Sequence, residues 1–288
     1  MKLYPIQCGN FKLDGGAMFG VVPKSLWERT NPADSKNLIE LGTRSLLVED
    51  GKKLILIDCG LGNKQDEKFF GHYSLYGDES LDKNLKKYGF VREDITDVFL
   101  THLHFDHCGG AIEWNDDKTG YRPAFKNAQF WTSEHHWQWA TEPNPREKAS
   151  FLKENILPMQ ESGQLQFLPT PKTGNYGFAP DLKMDVIFVD GHTEKQMLPV
   201  IQYQEKTIVF AADLIPTAGH IPQVYVMGYD TRPLLTMEEK GKFLKQCVEN
   251  EYLLFFEHDA HHELASLKMT EKGVKLDETF SFNEVFGY

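Results

Sequence analysis

The stretch Val98-Phe99-Leu100-Thr101-His102-Leu103-His104-Phe105-Asp106-His107-Cys108-Gly109-Gly110 decides the fold. It begins with an apolar run that is typical of a buried strand and ends in two glycines. Between them, three histidines and one aspartate lie within six positions. Imidazole and carboxylate groups together are typical ligands of zinc or another first-row metal. The stretch therefore predicts a metal site at the end of a strand, rather than a histidine-rich surface loop.

The spacing of these side chains indicates more than one metal ion. In an extended segment alternate side chains share a face, so we expect His102, His104 and Asp106 to project together. His107 lies one position further, and the turn that the glycine pair at 109–110 allows would re-aim it. Four donors so close in sequence would crowd a single ion. We therefore expect two ions, each completed by ligands from elsewhere in the chain.

The composition is that of an acidic globular protein. Of 288 residues, 41% are hydrophobic, and the formal net charge of −11 argues against a nucleic-acid partner, which would need a basic face. The four cysteines form no C-x-x-C pair, so we expect reduced thiols, with Cys108 as a small buried apolar residue. The first residues lack the apolar core of a signal peptide, and no apolar run reaches membrane-spanning length. We expect a cytoplasmic protein that contacts neither nucleic acid nor membrane.

The rest of the chain predicts a single α/β domain over residues 1–288. β-rich runs on either side of Asp50-Gly51 predict a hairpin over 44–58. The pattern of apolar residues predicts helices over 78–88, 133–140 and 146–160. Residues 24–41, which include Trp27, predict a surface arm that covers the site or bridges the subunits of a homodimer.

Three further β-rich runs end in a side chain that can bind a metal. Residues 186–190 precede Gly191-His192-Thr193, residues 207–212 end at Asp213, and residues 252–257 end at His258. Strand ends along one edge of a sheet form a rigid platform for a site. A single histidine in a glycine turn is more often structural, but the ordered set predicts metal ligands.

The ligand set can be divided between two ions that share a carboxylate. We assign three residues to each ion: His102, His104 and His192 to the first, and Asp106, His107 and His258 to the second. Asp213 would bridge the ions, because each of its oxygens can bind one metal. Two divalent ions roughly 3.5–4 Å apart could form hydroxide near neutral pH and polarise an electrophile. Zinc suits these ligands best, and manganese, iron or cobalt also accept them.

The motif His102-Leu103-His104-Phe105-Asp106-His107, followed by Gly191-His192-Thr193, Asp213 and His258, resembles the metallo-β-lactamase superfamily. The resemblance covers roughly residues 46–259, and its H-x-H-x-D-H signature is among the more specific short metal motifs. It implies an α/β fold, a four-layer αβ/βα sandwich with two mixed β-sheets inside, and a site at one edge of the sandwich. It also implies that Asp58 orients a ligand histidine.

Within the superfamily the sequence is most similar to the lactonase and methyl parathion hydrolase-like branch. The similar segments are residues 16–23, 213–220, 227–230 and 256–259. One position departs from this pattern, because acyl-homoserine lactonases have a tyrosine three residues after the bridging aspartate, where this chain has Pro216. The phenol that assists carbonyl binding is absent from that place, and His220 or Tyr229 is a candidate to replace it.

The residues that we expect to line the substrate pocket are Met18, Phe19, Trp27, Phe105, His220 and Tyr229. For the aromatic residues, a position in the core is an equal alternative. An apolar wall suits an acyl chain or a hydrophobic ester.

These features predict a dinuclear metal-dependent hydrolase of ester bonds, above all a lactonase of the quorum-quenching, acyl-homoserine lactone type that uses a metal-bridging hydroxide. Asp213 would position both ions, and Asp106 would pass a proton to the leaving alkoxide. Three alternatives stay open: an organophosphate triester hydrolase, a thioester or phosphodiester hydrolase of the same fold, and a non-catalytic metal-binding protein.

Overall fold

Strands β1 (Lys2–Asp14) and β2 (Leu38–Asp50) each pass from one structural unit of the chain into a second. The computed structural model describes residues 1–172 and 174–287. Unit 1 consists of residues 1–10 and 43–183, and unit 2 consists of residues 11–42 and the chain from Met184 onward. Each unit carries a mixed β-sheet, whose strand ends position the candidate ligands of that unit.

The sheet of unit 1 has the strand order β1-β2-β3-β4-β7-β8. Its further strands are β3 (Lys53–Ile57), β4 (Asp97–Phe99), β7 (Gln129–Ser133) and β8 (Leu165–Leu168). Strands β2 and β3 form the predicted antiparallel hairpin, with Asp50 opposite Lys53 at its turn. From β3 onward the pairs β3–β4, β4–β7 and β7–β8 are parallel. Parallel strands are covered on both faces, which explains why residues 54–57 of β3 and 98–99 of β4 are all apolar and buried.

The α-helices and further strands of unit 1 that lie between the strands of this sheet are α3 (Glu67–Gly71), α4 (Leu81–Lys87), α5 (Phe105–Cys108), β5 (Ile112–Trp114), β6 (Tyr121–Pro123), α6 (Glu134–Thr141) and α7 (Lys153–Glu161). Strand β9 (Tyr176–Ala179) follows β8. Helix α6 begins after Ser133, whose side chain accepts a hydrogen bond from His136 N, as a helix N-cap does. The predicted helix over 146–160 is wrong in its first part, because Asn144 Oδ1 accepts from the backbone N–H groups of Arg146 and Glu147 and forms a turn there.

The sheet of unit 2 contains the strand order β15-β14-β13-β12-β11-β10. The strands are β10 (Met184–Val189), β11 (Gln196–Tyr203), β12 (Lys206–Phe210), β13 (Leu253–Phe255), β14 (Leu264–Thr270) and β15 (Gly273–Phe280). Strands β12 and β13 are parallel, and the other neighbours in this order are antiparallel. The helices of the unit are α1 (Gly15–Phe19), α2 (Lys24–Trp27), α8 (Pro233–Glu249) and α9 (Phe282–Phe286).

Residues 24–41, the predicted arm, comprise helix α2, a turn and the first part of β2. Trp27, Ile39 and Leu41 are buried, whereas Leu26 is exposed. The segment is therefore anchored in unit 2 rather than lying wholly on the surface. Its role over the site or in a homodimer stays a prediction.

The prediction of a mixed α/β fold with two mixed sheets is confirmed. Within residues 1–172 and 174–287, no helix combines the length and the apolar character that a membrane crossing requires. The single domain over 1–288 stays a prediction.

Candidate metal centre

The ligand stretch follows strand β4 in unit 1. His104 is still extended, with φ −63° and ψ 150°, at the N-terminus of α5. Asp106 and His107 lie within the helical turn of α5. The expectation that His102, His104 and Asp106 share one face of an extended segment is therefore wrong for Asp106, because the backbone has turned into a helix before that residue.

The glycine pair after α5 allows two backbone segments to come into direct contact. A Cβ atom at Gly109 would lie 2.1 Å from Leu61 O, and one at Gly110 would lie 2.1 Å from Cys59 O. Cys59 N also donates a hydrogen bond to His107 O at 2.8 Å. Only glycine fits at such a close backbone approach. This packing fixes the turn that directs Asp106 and His107.

A buried aspartate fixes the orientation of two histidines of the stretch. Asp58 accepts hydrogen bonds from Thr101 N at 2.8 Å and from Thr101 Oγ1 at 2.6 Å, and its Oδ2 lies 3.0 Å from His107 Nδ1. Thr101 Oγ1 lies 3.1 Å from His102 Nδ1, and because its hydroxyl proton is donated to Asp58, it accepts from that nitrogen. Both histidines thus carry a proton on Nδ1, which leaves the Nε2 lone pair for a metal.

Asp58→Ala is expected to lower the free energy of unfolding of the metal-free protein by about 3–5 kcal/mol, because it removes the acceptor of a buried network. Urea unfolding after metal removal measures the loss of this network alone. Asp181→Ala, at an exposed position of unit 1, is the control and should change stability by less than about 0.5 kcal/mol. Equal stabilities of the two variants would contradict the role of Asp58.

His104 presents the opposite ring nitrogen. Its Nδ1 lies 3.1 Å from His102 Nε2, and the two rings are inclined at 77°. Two ligand atoms of one tetrahedral zinc ion are separated by roughly 3.3 Å, given zinc–nitrogen bonds of about 2.0–2.1 Å. The pair His102 and His104 therefore has the spacing of two ligands of one ion. In the same unit, Asp106 Oδ1 lies 4.0 Å from His107 Nε2.

In unit 2, one carboxylate lies between two histidines. Asp213 Oδ2 is 3.2 Å from His192 Nε2, and Asp213 Oδ1 is 3.1 Å from His258 Nε2. The outer nitrogens are engaged as well, because His192 Nδ1 lies 2.9 Å from Asp230 Oδ1 and His258 Nδ1 donates to Gly42 O at 2.9 Å. Each oxygen of Asp213 thus faces a different imidazole, as a carboxylate shared by two ions requires.

Helix α8 fixes the loop that carries His192, and the backbone directly before Asp213 is strained. Glu239 of α8 accepts from the backbone N–H groups of Asp190 and Gly191, next to His192. A Cβ atom at Gly191 would lie 2.4 Å from Thr236 N. The loop can therefore pack this closely against α8 only with glycine at position 191. Ala212, directly before Asp213, has φ +41°. A non-glycine residue in this left-handed region costs of order 1 kcal/mol or more, and such strain is common at functional sites.

The donor set fits divalent metal ions. The candidate histidines and Asp213 are buried, and Asp106 is half-buried. Neutral imidazoles with fixed outer nitrogens and carboxylates are ligands that zinc and other first-row ions accept. A buried carboxylate such as Asp213 needs a compensating positive charge, which a bound cation would provide.

A comparison with known proteins agrees with this chemistry. The model of the metallo-β-lactamase superfamily matches residues 38–246. The chain belongs to this superfamily.

Individual relatives and solved structures extend the similarity over almost the whole chain. A "probable metal-dependent hydrolase" from Staphylococcus aureus is 28% identical with a TM-score of 0.85, and the match covers 97% of this chain and 96% of that one. AidC, a dizinc quorum-quenching lactonase, has a TM-score of 0.76 at 23% identity and covers 97% and 95%. An N-acyl homoserine lactonase of Bacillus cereus is 22% identical over 275 residues, which are 91% of this chain and 94% of the lactonase. The chain is thus a metallo-β-lactamase superfamily hydrolase that depends on metal.

Within this superfamily member, several predicted pocket residues form a buried stack in unit 2. The ring of Phe19 stacks on His220, with centroids 4.1 Å apart, and on Trp27 at 5.3 Å. His220 Nε2 donates to Met18 O at 2.9 Å, and its Nδ1 accepts from the Thr217 hydroxyl at 2.8 Å. Burial lowers the pKa of His220 to about 3, so the ring is neutral.

The predicted pocket residues differ in their access to solvent. Met18, Phe19, Trp27 and His220 are at most 1% exposed, whereas Phe105 is 8% and Tyr229 is 41% exposed. The structure therefore brings the first four together in the interior of unit 2, which agrees with the alternative that these residues belong to the core. Their contact with a substrate stays a prediction.

Cys108 is a buried thiol, as its sequence context predicted. Its Sγ donates to Leu103 O at 3.3 Å, and burial raises the pKa of the thiol to about 12. The group is therefore a neutral thiol at neutral pH rather than a thiolate ligand.

The sequence did not reveal three polar residues that contact the ligand loops. His136 Nε2 accepts from Leu103 N at 2.8 Å, between two candidate ligands. Asp230 contacts His192, and Glu147 Oε1 lies 3.4 Å from His104 Nε2. Of the three, only Asp230 could have been found from the sequence, because it is the last residue of the segment 227–230 that resembles the lactonase branch.

Proposed function

We propose that this hydrolase cleaves lactones with two divalent metal ions. In this proposal, His102, His104 and His192 would hold one ion, and Asp106, His107 and His258 would hold the other. Asp213 would contribute one oxygen to each ion. The observation that carries the proposal is the position of the Asp213 carboxylate, with one oxygen 3.2 Å and the other 3.1 Å from a different imidazole Nε2. Membership of the metallo-β-lactamase superfamily and the resemblance to a dizinc lactonase support it.

The residues of the chain would prepare the site for hydrolysis. Two zinc ions, when bound, would lower the pKa of water towards neutrality and polarise the ester carbonyl. Asp58 and Asp230 fix the tautomers of His107 and His192, so that their Nε2 lone pairs are available. Asp106 is half-buried, and we assign to it the transfer of a proton to the leaving alkoxide.

An aromatic cluster in unit 1 suits an apolar substrate. Phe105, directly after His104, contacts Phe69 edge-on with ring centroids 5.3 Å apart and Tyr73 with centroids 4.7 Å apart. Such a wall suits an acyl chain or another hydrophobic group of an uncharged ester. Together with the lactonase relatives, this favours an N-acyl homoserine lactone as the substrate, ahead of an aryl phosphotriester.

The phenol that is missing at Pro216 needs a replacement if the substrate carbonyl is bound by a side chain. His220 is unsuited, because both of its ring nitrogens are engaged inside unit 2. We therefore assign the polar contact to Tyr229, which is exposed.

A substrate panel tests the proposal. For zinc-loaded protein we expect kcat/KM for an N-acyl homoserine lactone to exceed that for an aryl phosphotriester or a thioester by at least about 10-fold, equivalent to about 1.4 kcal/mol. Hydrolysis is followed by proton release, and metal-free protein is the control. Faster turnover of the phosphotriester or the thioester would establish one of the alternative hydrolases. Failure to turn over any ester with two zinc ions bound would indicate a non-catalytic metal-binding protein.

A further inference from the structure

A buried glutamate outside the predicted ligand set faces one of the candidate ligands. Glu147 is only 3% exposed. Its Oε2 accepts hydrogen bonds from Trp139 Nε1 at 2.7 Å and from Asn144 Nδ2 at 2.5 Å. Its Oε1 lies 3.4 Å from Nε2 of His104. All four residues belong to unit 1, so the arrangement lies within one structural unit.

The ring of His104 is oriented opposite to those of the other candidate histidines, so its Nε2 is the nitrogen that needs a hydrogen-bond acceptor. The other candidate histidines have their Nδ1 engaged and would bind a metal through Nε2. His104 instead directs Nδ1 towards His102 Nε2. If Nδ1 gives its lone pair to a metal, the ring proton must be on Nε2, and Oε1 of Glu147 lies 3.4 Å from that nitrogen.

The segment before helix α7 is built to bring this glutamate to His104. Asn144 forms the turn that interrupts the predicted helix and also donates to Glu147 Oε2. Further along, Ser150 O accepts from Phe105 N at 3.0 Å, and the ring of Phe151 lies 4.7 Å from that of His104. The segment 144–151 therefore packs directly on the ligand loop.

The charge of Glu147 also has a consequence for the metal. A carboxylate that is almost fully buried is costly unless donors or a positive charge compensate it. A carboxylate that accepts the outer N–H of a ligand histidine fixes the orientation of the ring and makes the ligating nitrogen more basic. Its removal should therefore weaken metal binding at this histidine in particular.

We propose that Glu147 is a positioning residue, which orients His104 and raises the affinity for the ion that His102 and His104 bind. This proposal rests on the proposed function, because it assumes that His104 is a metal ligand. Glu147 itself contacts neither the ion nor the substrate.

Metal affinity of the full chain tests the proposal. Zinc binding is measured by competition with a chromophoric chelator for the wild type, Glu147→Gln, Glu147→Ala and the control Glu142→Gln, which replaces an exposed carboxylate of the same connection. We expect one of the two zinc ions to bind about 10–100-fold more weakly in Glu147→Gln, and at least as weakly in Glu147→Ala. The other ion, and both ions of Glu142→Gln, should bind as in the wild type.

Two further measurements separate positioning from a structural role. The visible spectrum of the cobalt-loaded protein should change in Glu147→Gln but not in Glu142→Gln, because only the first substitution changes the surroundings of His104. The melting temperature of metal-free Glu147→Gln should remain near that of the wild type, since its amide keeps the volume and an acceptor oxygen. If Glu147→Ala does not fold, Glu147→Gln decides the outcome.

The result that overturns the proposal is distinct from failure of the proposed function. Unchanged zinc affinities and cobalt spectrum in Glu147→Gln refute the role of Glu147 and leave the two-ion hydrolase intact. A wild-type protein that binds no zinc refutes the two-ion hydrolase, and the role of Glu147 with it.

Discussion

Asp213→Asn is expected to lower kcat/KM for the best substrate by at least about 10³-fold, equivalent to about 4 kcal/mol of transition-state stabilisation. The reason is the position of its carboxylate, whose two oxygens face His192 and His258 separately. An asparagine has one oxygen and one NH₂ group, and the NH₂ group cannot bind a cation. The variant should therefore bind fewer than two ions, and elemental analysis should show this loss.

Asp185→Asn is the matched control, because it makes the same replacement at an exposed position of strand β10 in the same unit. It should retain the activity and the metal content of the wild type. Folding of both variants is compared by circular dichroism in the presence of zinc. Full activity of Asp213→Asn with two ions bound would show that this carboxylate does not bridge them.

The sequence was sufficient for the parts of the site that follow directly from strand ends. The hairpin at Asp50-Gly51 and the strands that lead to His192, Asp213 and His258 depend on local patterns, namely β-rich apolar runs and turn residues. These patterns are strong because the strands are buried, so the apolar residues are continuous. The order of the candidate ligands along the chain could therefore be predicted without tertiary information.

The backbone conformation of residues 102–107 was harder to predict from the sequence. Asp106 lies in a helical turn because Gly109 and Gly110 pack against the backbone of Leu61 and Cys59, some fifty positions earlier in the chain. A contact over such a separation has no local signal. The prediction from periodicity alone therefore extended the strand-like segment to Asp106, whereas the extended backbone ends at His104.

The residues that support the ligands could not be predicted for a similar reason. Glu147 lies within a segment whose spacing favours a helix, but the side chain of Asn144 binds the backbone and delays the helix until Lys153. His136 contacts Leu103 from a helix 33 residues away in sequence. Each is a polar residue whose role depends on a tertiary neighbour, and a single sequence does not identify such neighbours.

Removal of the metal ions with a chelator is expected to abolish turnover and to lower the melting temperature. A ligand that binds only the folded state stabilises it by about 4.1 kcal/mol when its concentration is 1,000 times the dissociation constant. For a chain of this size, each kcal/mol corresponds to about 2–4 °C, so the loss of one such ion should lower the melting temperature by about 8–16 °C. The buried carboxylate of Asp213 would then have no cation to compensate its charge.

Calorimetry at fixed protein concentration measures the shift, and the activity assay is repeated after zinc is returned. Zinc should restore both turnover and melting temperature, and manganese, iron and cobalt can be compared in the same way because nitrogen and oxygen ligands also accept them. The Asp213→Asn variant provides the control, since its melting temperature should respond less to the chelator than that of the wild type. Turnover that persists when elemental analysis detects no metal would contradict a mechanism in which bound ions activate the water and polarise the ester.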